Sequence, residues 1–531
     1  MTGHLRVATA ICSAMFAGWL GLAGAPSVTA EDYILTIGGG YSPQGNQVSL
    51  EKNVLFLQRL LTEQLPRGVR HDILFSDGDS TGRDVQFHDP RRVPPANRLM
   101  AQFVGNDRYL GLEYRSHQVP EIRAGSNRRQ VEQWFDEVGA KLQRGDRLLI
   151  YATAHGGKSD DEDNDHNTRL LMWNNESITV ERLAERLETL PEGVNVAVVM
   201  VQCYSGGFAH LIFDEGDSKE GLASRNICGF FATVHDRVAA GCTPDIDEED
   251  YQEYSTFFWA ALGGKTRIGE PIERPDYDGD GGISLEEAHG HVIVHSDTID
   301  IPIKTSGALL REYSKLPAED SDDELVGLSS YDALLEHASP VDRAVLEQLC
   351  AKLDLDGSDR VEAANELAKR TKDEENDLNR RQRRSRRQRD RLKGRITGDL
   401  KERWPELANA YNPLVTELLT ARCDEFIQAV ESHEDYSEFT KLDAQLQEVE
   451  TKKMDLDRRW VKCQRFVRVA ENVALAANLP NVADAKIVDA YQRMLAAERG
   501  TFGAGGAAPP DVAEVAAGLI NSPTASGPPE P

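Results

Sequence analysis

The run Val194-Asn195-Val196-Ala197-Val198-Val199-Met200-Val201 is almost continuously apolar. A strand wetted on one face alternates apolar with polar residues; a strand covered on both faces does not. This run therefore predicts an interior strand of a sheet sandwiched between helices. A second run, 147–154, has the same character, and three shorter ones at 33–37, 72–75 and 229–234 complete a set of five. Between them lie amphipathic segments. Leu50, Val54, Leu57 and Leu61 recur on one helical face, and helices are also expected over 180–190 and 254–262. Strands alternating with helices predict an α/β fold with a mostly parallel sheet flanked by helices, over 31–316. Such folds put their sites where loops leave the carboxyl ends of the strands.

Two of those ends carry chemistry. The 147–154 strand runs into His155-Gly156-Gly157, and the 194–201 strand delivers Gln202-Cys203-Tyr204-Ser205-Gly206-Gly207. A cysteine is a good nucleophile only with a base or cation nearby, and an imidazole on a neighbouring strand end supplies one. Glycine lets backbone N–H groups approach a bound carbonyl closely. Alone, a strand-end cysteine is usually a small buried hydrophobe and a histidine a satisfied polar residue. Together, each flanked by glycines, they point to a nucleophile and its base.

These residues resemble the paired signature of the caspase, legumain, gingipain and metacaspase superfamily of cysteine peptidases. Cys203 follows His155 by 48 residues, close to the separation of about 50 known for caspases. Cys203-Tyr204-Ser205-Gly206-Gly207 is similar to the motif of bacterial caspase-like and legumain-like members. Gly38-Gly39-Gly40 with Asn46 and Asn53, Leu74 to Gly78, and Ala232 to Asp236 are weaker matches. The resemblance spans about 33–313 and implies peptide-bond hydrolysis, with Cys203 as nucleophile, His155 as general acid and base, and the backbone of Gly156 and Cys203 as oxyanion donors. It also implies a specificity pocket built by the segment after the fifth strand; Asp236, Gln202 and Asn53 are the substrate-binding candidates. Gln202 departs from metacaspases and legumains, which carry an acid before the nucleophile, and Ala154 departs from legumains, which carry Asp before the histidine; this leaves the cleaved residue open. A caspase-like module that has lost catalysis and serves as a calcium-stabilised scaffold is the alternative.

Asp276-Tyr277-Asp278-Gly279-Asp280-Gly281-Gly282-Ile283-Ser284-Leu285-Glu286-Glu287 matches an EF-hand loop position by position. Its Ca2+ ligands are expected to be Asp276, Asp278, Asp280, the Gly282 carbonyl, Ser284 and a bidentate Glu287, with Gly281 at the sharp turn. The acidic segment Asp160, Asp161, Glu162, Asp163 and Asp165 reads as a solvated hairpin tip, a weak cation site or, like Asp236, the lining of a pocket for a basic side chain.

The first thirty residues read as an export leader: Arg6, an apolar stretch over 7–23, then small residues at Val28-Thr29-Ala30. An uncleaved anchor is the alternative. The leader predicts a secreted or periplasmic protein with no membrane contact after its removal. A formal net charge of −28 argues against a nucleic-acid partner. Among the seven cysteines, Cys228 and Cys242 pair or remain buried thiols. Over 317–500 strand patterns vanish and Glu, Arg, Leu, Gln and Ala dominate, which predicts an all-α region with an antiparallel hairpin and a seam of Leu442, Leu446, Val449, Met454 and Leu456. This region is expected to self-associate or to dock on the peptidase domain. Arg380 to Arg395 carries ten basic residues and one acid; a solvated helix face, a docking strip and an activation-cleavage site are its three readings. Residues 501–531, rich in Gly, Ala and Pro, read as a disordered tail.

Overall fold

A computed structural model describes residues 30–64, 69–318 and 324–501. The leader and tail expectations lie almost wholly outside them. Eleven strands occur among the described residues: β1 (Asp32–Gly38), β2 (Val69–Phe75), β3 (Val85–His88), β4 (Leu112–Arg115), β5 (Arg147–Thr153), β6 (His155–Gly157), β7 (Arg169–Met172), β8 (Glu176–Thr179), β9 (Asn195–Met200), β10 (Ile227–Phe231) and β11 (Ile303–Lys304). Six form one sheet in the order β2-β1-β5-β9-β10-β11, with every pair parallel except the last.

The apolar runs are explained by what covers them. Leu148, Ile150, Ala152, Val196, Val198 and Met200 pack on one side against Trp134, Phe135, Leu183 and Leu187. Leu149, Tyr151, Val199 and Val201 pack on the other against Leu57, Phe258, Trp259 and Val292. Because β5 and β9 are covered on both faces, neither can alternate. Each fully buried aliphatic side chain stabilises the fold by roughly 1.5–3 kcal/mol over an exposed one, so the centre of the sheet is its most strongly held part.

Four of the expected strands lie within two or three residues of their expected limits. The fifth sits earlier, as Ile227–Phe231 instead of 229–234. The chain leaves the sheet after Phe231 because Thr233 turns to Ser205, whose Oγ accepts its N–H at 3.2 Å. The two-residue β11 and the small sheets β3-β4 and β6-β7-β8 are additions.

The helical region contains the expected antiparallel hairpin, Arg360–Arg403 against Tyr436–Val482. Its direction is recorded in its ion pairs: Lys372 meets Asp457, Arg389 meets Asp443 and Arg395 meets Asp435, so partner numbers fall as residue numbers rise. In the expected seam Leu442, Leu446 and Leu456 are buried, but Met454 is 51% exposed. A polar layer interrupts the repeat there: buried Gln382 donates to Glu450 at 2.6 Å and accepts from Lys453 at 3.3 Å. The Arg380 to Arg395 run lies on this hairpin, and Arg380, Arg386, Arg389 and Arg395 pair with acids of the same hairpin. None of the described helices is long and apolar enough to cross a membrane.

The hairpin and the helices next to it in the chain, Cys423–Glu431 and Ala485–Glu498, dock on the α/β part at several points. Leu475, Leu479, Tyr491 and Met494 join the core on one face of the sheet. At the far end Phe103 and Ala96 pack with Ile396, Phe426 and Phe439. Between these points Arg465, 2% exposed, donates to the carbonyls of Ile293, Ser296 and Asp300 and to Thr298 Oγ1 at 2.8–3.1 Å. Replacing Arg465 by Met keeps most of the volume but strands these acceptors, each at about 1–3 kcal/mol. Guanidinium unfolding of Arg465→Met should show a loss of at least about 3 kcal/mol; a change within about 0.5 kcal/mol would contradict this account of the clamp.

Candidate active site

Strands β5 and β9 are parallel neighbours in the register Arg147↔Asn195 to Ala152↔Met200. Their carboxyl ends therefore lie side by side, and the chain beyond them stays in contact. A Cβ on Gly156 would stand 1.8 Å from the Cys203 carbonyl oxygen and 2.8 Å from Gln202 Cγ. Only glycine fits. Tyr204, next after Cys203, is held in the left-handed region at φ 61°. For a non-glycine residue that costs on the order of 1–2 kcal/mol, and such strain clusters where a turn must present a side chain.

His155 is fixed by the loop after β1. Its Nε2 lies 2.9 Å from Gly45 O and 2.8 Å from Gln47 Oε1, and Tyr41 meets the ring edge-on with centroids 5.2 Å apart. Both polar partners are acceptors, so Nε2 carries the proton and Nδ1 keeps its lone pair for use as a base. Burial lowers the imidazole pKa, only partly offset by the Gly45 hydrogen bond. The loop is itself braced: Asn46 Oδ1 accepts the Gly40 N–H at 2.9 Å, and Asn46 Nδ2 donates to Asp84 O at 2.9 Å. The chain passes so close here that a Cβ on Gly40 would collide with Gly45 O at 2.0 Å.

Cys203 is half-buried and faces the segment after β10. Ala239 N–H donates to its sulfur at 3.3 Å, and the thiol lies 3.8 Å from Ala239 O. Burial raises the thiol pKa; the Ala239 hydrogen bond lowers it and the Asp300 carboxylate raises it again. Among the described residues no hydrogen bond joins Cys203 to His155. What lies over the strand ends is a strap, residues 237–245. Arg237 O accepts from Tyr204 N at 2.9 Å, Cys242 Sγ lies 3.8 Å from Ala154 O, and Thr243 O and Pro244 O accept from Ser49 and His88 at 3.3 and 2.7 Å. The helical hairpin and the 297–300 loop hold this strap. Arg237 donates to Asp457 at 2.7 Å and to Ile299 O at 2.7 Å, and Asp300 Oδ1 accepts the Ala240 N–H at 2.6 Å.

The substrate-binding candidates do not converge on the dyad. Asp236 is exposed at the start of the segment that leads into the strap. Asn53 is buried, donating to Thr153 Oγ1 at 3.1 Å and accepting from Arg267 at 2.6 Å. Gln202, 1% exposed, lies beneath Gly156 with Nε2 3.6 Å from Met200 Sδ. Gln47, Gly45, Ala239 and Asp300, which shape the site, carry no recognisable sequence signal. Cys203, Cys228, Cys242, Cys350, Cys423 and Cys463 are all free thiols.

The Asp276 to Glu287 segment forms a loop entering the Leu285–His295 helix. Carboxylate oxygens of Asp276, Asp278 and Glu287 lie within 4.8 Å of one another. Gly279 and Gly281 take φ of 76° and 86°, and Gly281 N–H donates to Asp276 Oδ2 at 3.1 Å. Asp276 Oδ1 is buried with no partner, an orphan that a cation would satisfy. Asp280 stands outside this cluster, with its Oδ1 accepting from Gly282 N–H at 2.6 Å. Ser284 caps the helix reciprocally with Glu287, so its hydroxyl is engaged in the cap. The residues fit a hard, oxygen-seeking ion such as Ca2+.

Two outcomes follow. Because the Cys203 thiol pKa is raised, its thiolate fraction at pH 7 lies below that of a free cysteine, whose pKa is about 8.5. Iodoacetamide labelling of Cys203, followed by peptide mass spectrometry, should be slower at pH 7 than that of a free cysteine and should climb as pH rises; full reactivity at pH 7 would contradict the capped thiol. Calcium at about 100 times its dissociation constant should stabilise the fold by about 2.7 kcal/mol. Calorimetric melting should show the gain vanish in Glu287→Gln, which keeps a side chain compatible with the cap; an undiminished gain there would place the ion elsewhere.

No family model and no curated protein matches the chain. Among solved structures, a structural-genomics target protein from Geobacter sulfurreducens aligns at 11% identity over 49% of this chain and 88% of that one. Its TM-score of 0.28 is too low to carry an argument.

Proposed function

We propose that the protein is an exported cysteine endopeptidase of the caspase and legumain type, hydrolysing peptide bonds through His155 and Cys203, with Ca2+ bracing the 276–287 loop. The observation that supports this most is the abutting pair of strand ends: His155 oriented through Nε2, with Gly156 packed on the Cys203 carbonyl. A base oriented by its second nitrogen beside a strained cysteine turn is the constellation that acyl transfer requires.

In the reaction, Cys203 Sγ attacks the scissile carbonyl carbon while its proton passes to His155. Backbone N–H groups of Gly156 and Cys203 hold the resulting oxyanion. His155 then protonates the leaving amine, the C–N bond breaks and a thioester remains. A water gives its proton to His155 and its oxygen to the thioester carbon; the acid product leaves and the thiol regains its proton. The described arrangement is a resting one, because Ala239 occupies the sulfur and the strap covers the strand ends. Opening requires the strap, which carries Arg237, Ala239 and Cys242, to move away from Asp457, Cys203 and Ala154.

The capped thiol is also what a scaffold without catalysis would carry, and hydrolysis separates the two readings. A mixed peptide library incubated with the full chain and Ca2+ should yield new termini by mass spectrometry. Cys203→Ala should abolish them, and His155→Ala should slow them by at least about 10²-fold. Products identical in wild type and Cys203→Ala would end the peptidase reading.

A further inference from the structure

Three histidines far apart in sequence meet beside the turn that follows Cys203. His166 stacks on His210 with centroids 3.8 Å apart, and the His235 ring, tilted by 32°, lies 3.9 Å away on centroids. The Asp165 carboxylate bridges two of them, 2.8 Å from His166 Nδ1 and 3.3 Å from His235 Nε2. One ligating atom from each of Asp165, His166 and His235 lies within 4.8 Å of the other two. His210 Nδ1 is buried with no hydrogen-bond partner. Three imidazoles crowded together gain little from one another, and a buried ring nitrogen left orphaned is a net cost.

We propose that Asp165, His166 and His235 form a site for a divalent transition metal of the zinc class, distinct from the calcium loop. Two imidazole nitrogens and one carboxylate oxygen are the donors that Zn2+ accepts, and nitrogen donors set it apart from Ca2+ and Mg2+. Three protein ligands leave a fourth, tetrahedral position to water or to His210 Nδ1, whose ring rotation toward the metal would relieve its lack of a partner. The site ties together two separate parts of the chain. Asp165 and His166 close the hairpin between β6 and β7, and His235 opens the segment that becomes the strap. Between them Gly206 and Gly207 are gripped so tightly that their Cβ atoms would stand 2.8 Å from His235 N and 2.4 Å from His166 O. A metal here fixes both walls of the turn after Cys203, whether or not that turn is catalytic.

The test uses the full chain with Ca2+ in excess, so that the 276–287 loop is filled. Calorimetric titration with Zn2+ should give one saturable site. Co2+ in its place should give visible d–d bands of nitrogen and oxygen ligation, without the near-ultraviolet charge-transfer band of a thiolate. The double variant His166→Gln/His235→Gln should weaken Zn2+ binding at least about 100-fold, beyond the 10- to 100-fold typical of losing a residue that merely supports a ligand. Asp165→Asn, exposed and least disruptive, should weaken it at least about tenfold, with circular dichroism confirming the fold of both variants. His291→Gln/His295→Gln, which removes the other stacked histidine pair, should leave binding unchanged. The proposal is overturned by absence of saturable Zn2+ binding, by undiminished affinity in both the double variant and Asp165→Asn, or by a thiolate band that disappears in Cys203→Ser.

Discussion

The parallel pairing of β5 with β9 is the constraint from which the candidate site follows. Parallel strands point their carboxyl ends the same way, so the register Ala152↔Met200 places the residues after both strands together. Neither His155 nor Cys203 needs a long loop to reach the other's neighbourhood. Burial on both faces makes this pairing hard to distort, since slipping it would break two apolar interfaces at once. The contact of Gly156 with the Cys203 carbonyl is the direct product of that register.

Around this fixed centre the chain is held by contacts that reach into the helical hairpin. Arg465 clamps the 293–300 segment, Asp300 takes the Ala240 N–H, Ala239 caps the sulfur, and Arg237 reaches Asp457 on the same helix as Arg465. The hairpin and the strap are thereby one mechanical unit. A buried arginine donating to several carbonyls is costly to dislodge, whereas the Arg237 and Asp457 pair, partly exposed, is worth far less. Motion that frees the thiol is therefore expected to begin at Arg237, with Arg465 staying in place.

Much of the centre was legible in the sequence because burial writes itself into composition. The nearly continuous apolar runs at 147–154 and 194–201 named the two inner strands, and the glycines after each named the close approach. The carboxylate cluster of the 276–287 loop was legible because its spacing is local, although Ser284 serves the helix cap and Asp280 stands apart from the other carboxylates. What escaped depends on contacts between distant residues. Nothing in Gln47, Ala239 or Asp300 announces that they hold the imidazole or cap the sulfur. Asp165 was visible only as one acid of a solvated tip or weak cation site, with no histidine attached to it, and His166, His210 and His235 lie 69 residues apart from first to last. The seam misplaced Met454 because a heptad pattern cannot foresee a polar layer such as Gln382 with Glu450.

The proposed peptidase chemistry requires Cys203 to form an acyl bond with a peptide carbonyl, using the imidazole at the end of the neighbouring strand. It is tested most directly by acid-quenching the full chain during turnover of an activated peptide ester and weighing the intact protein. The account predicts a hydroxylamine-sensitive adduct of the acyl mass mapped to Cys203, accumulating further when His155 is replaced. An adduct confined to another cysteine, or ester turnover that persists at full rate in Cys203→Ala, would contradict it.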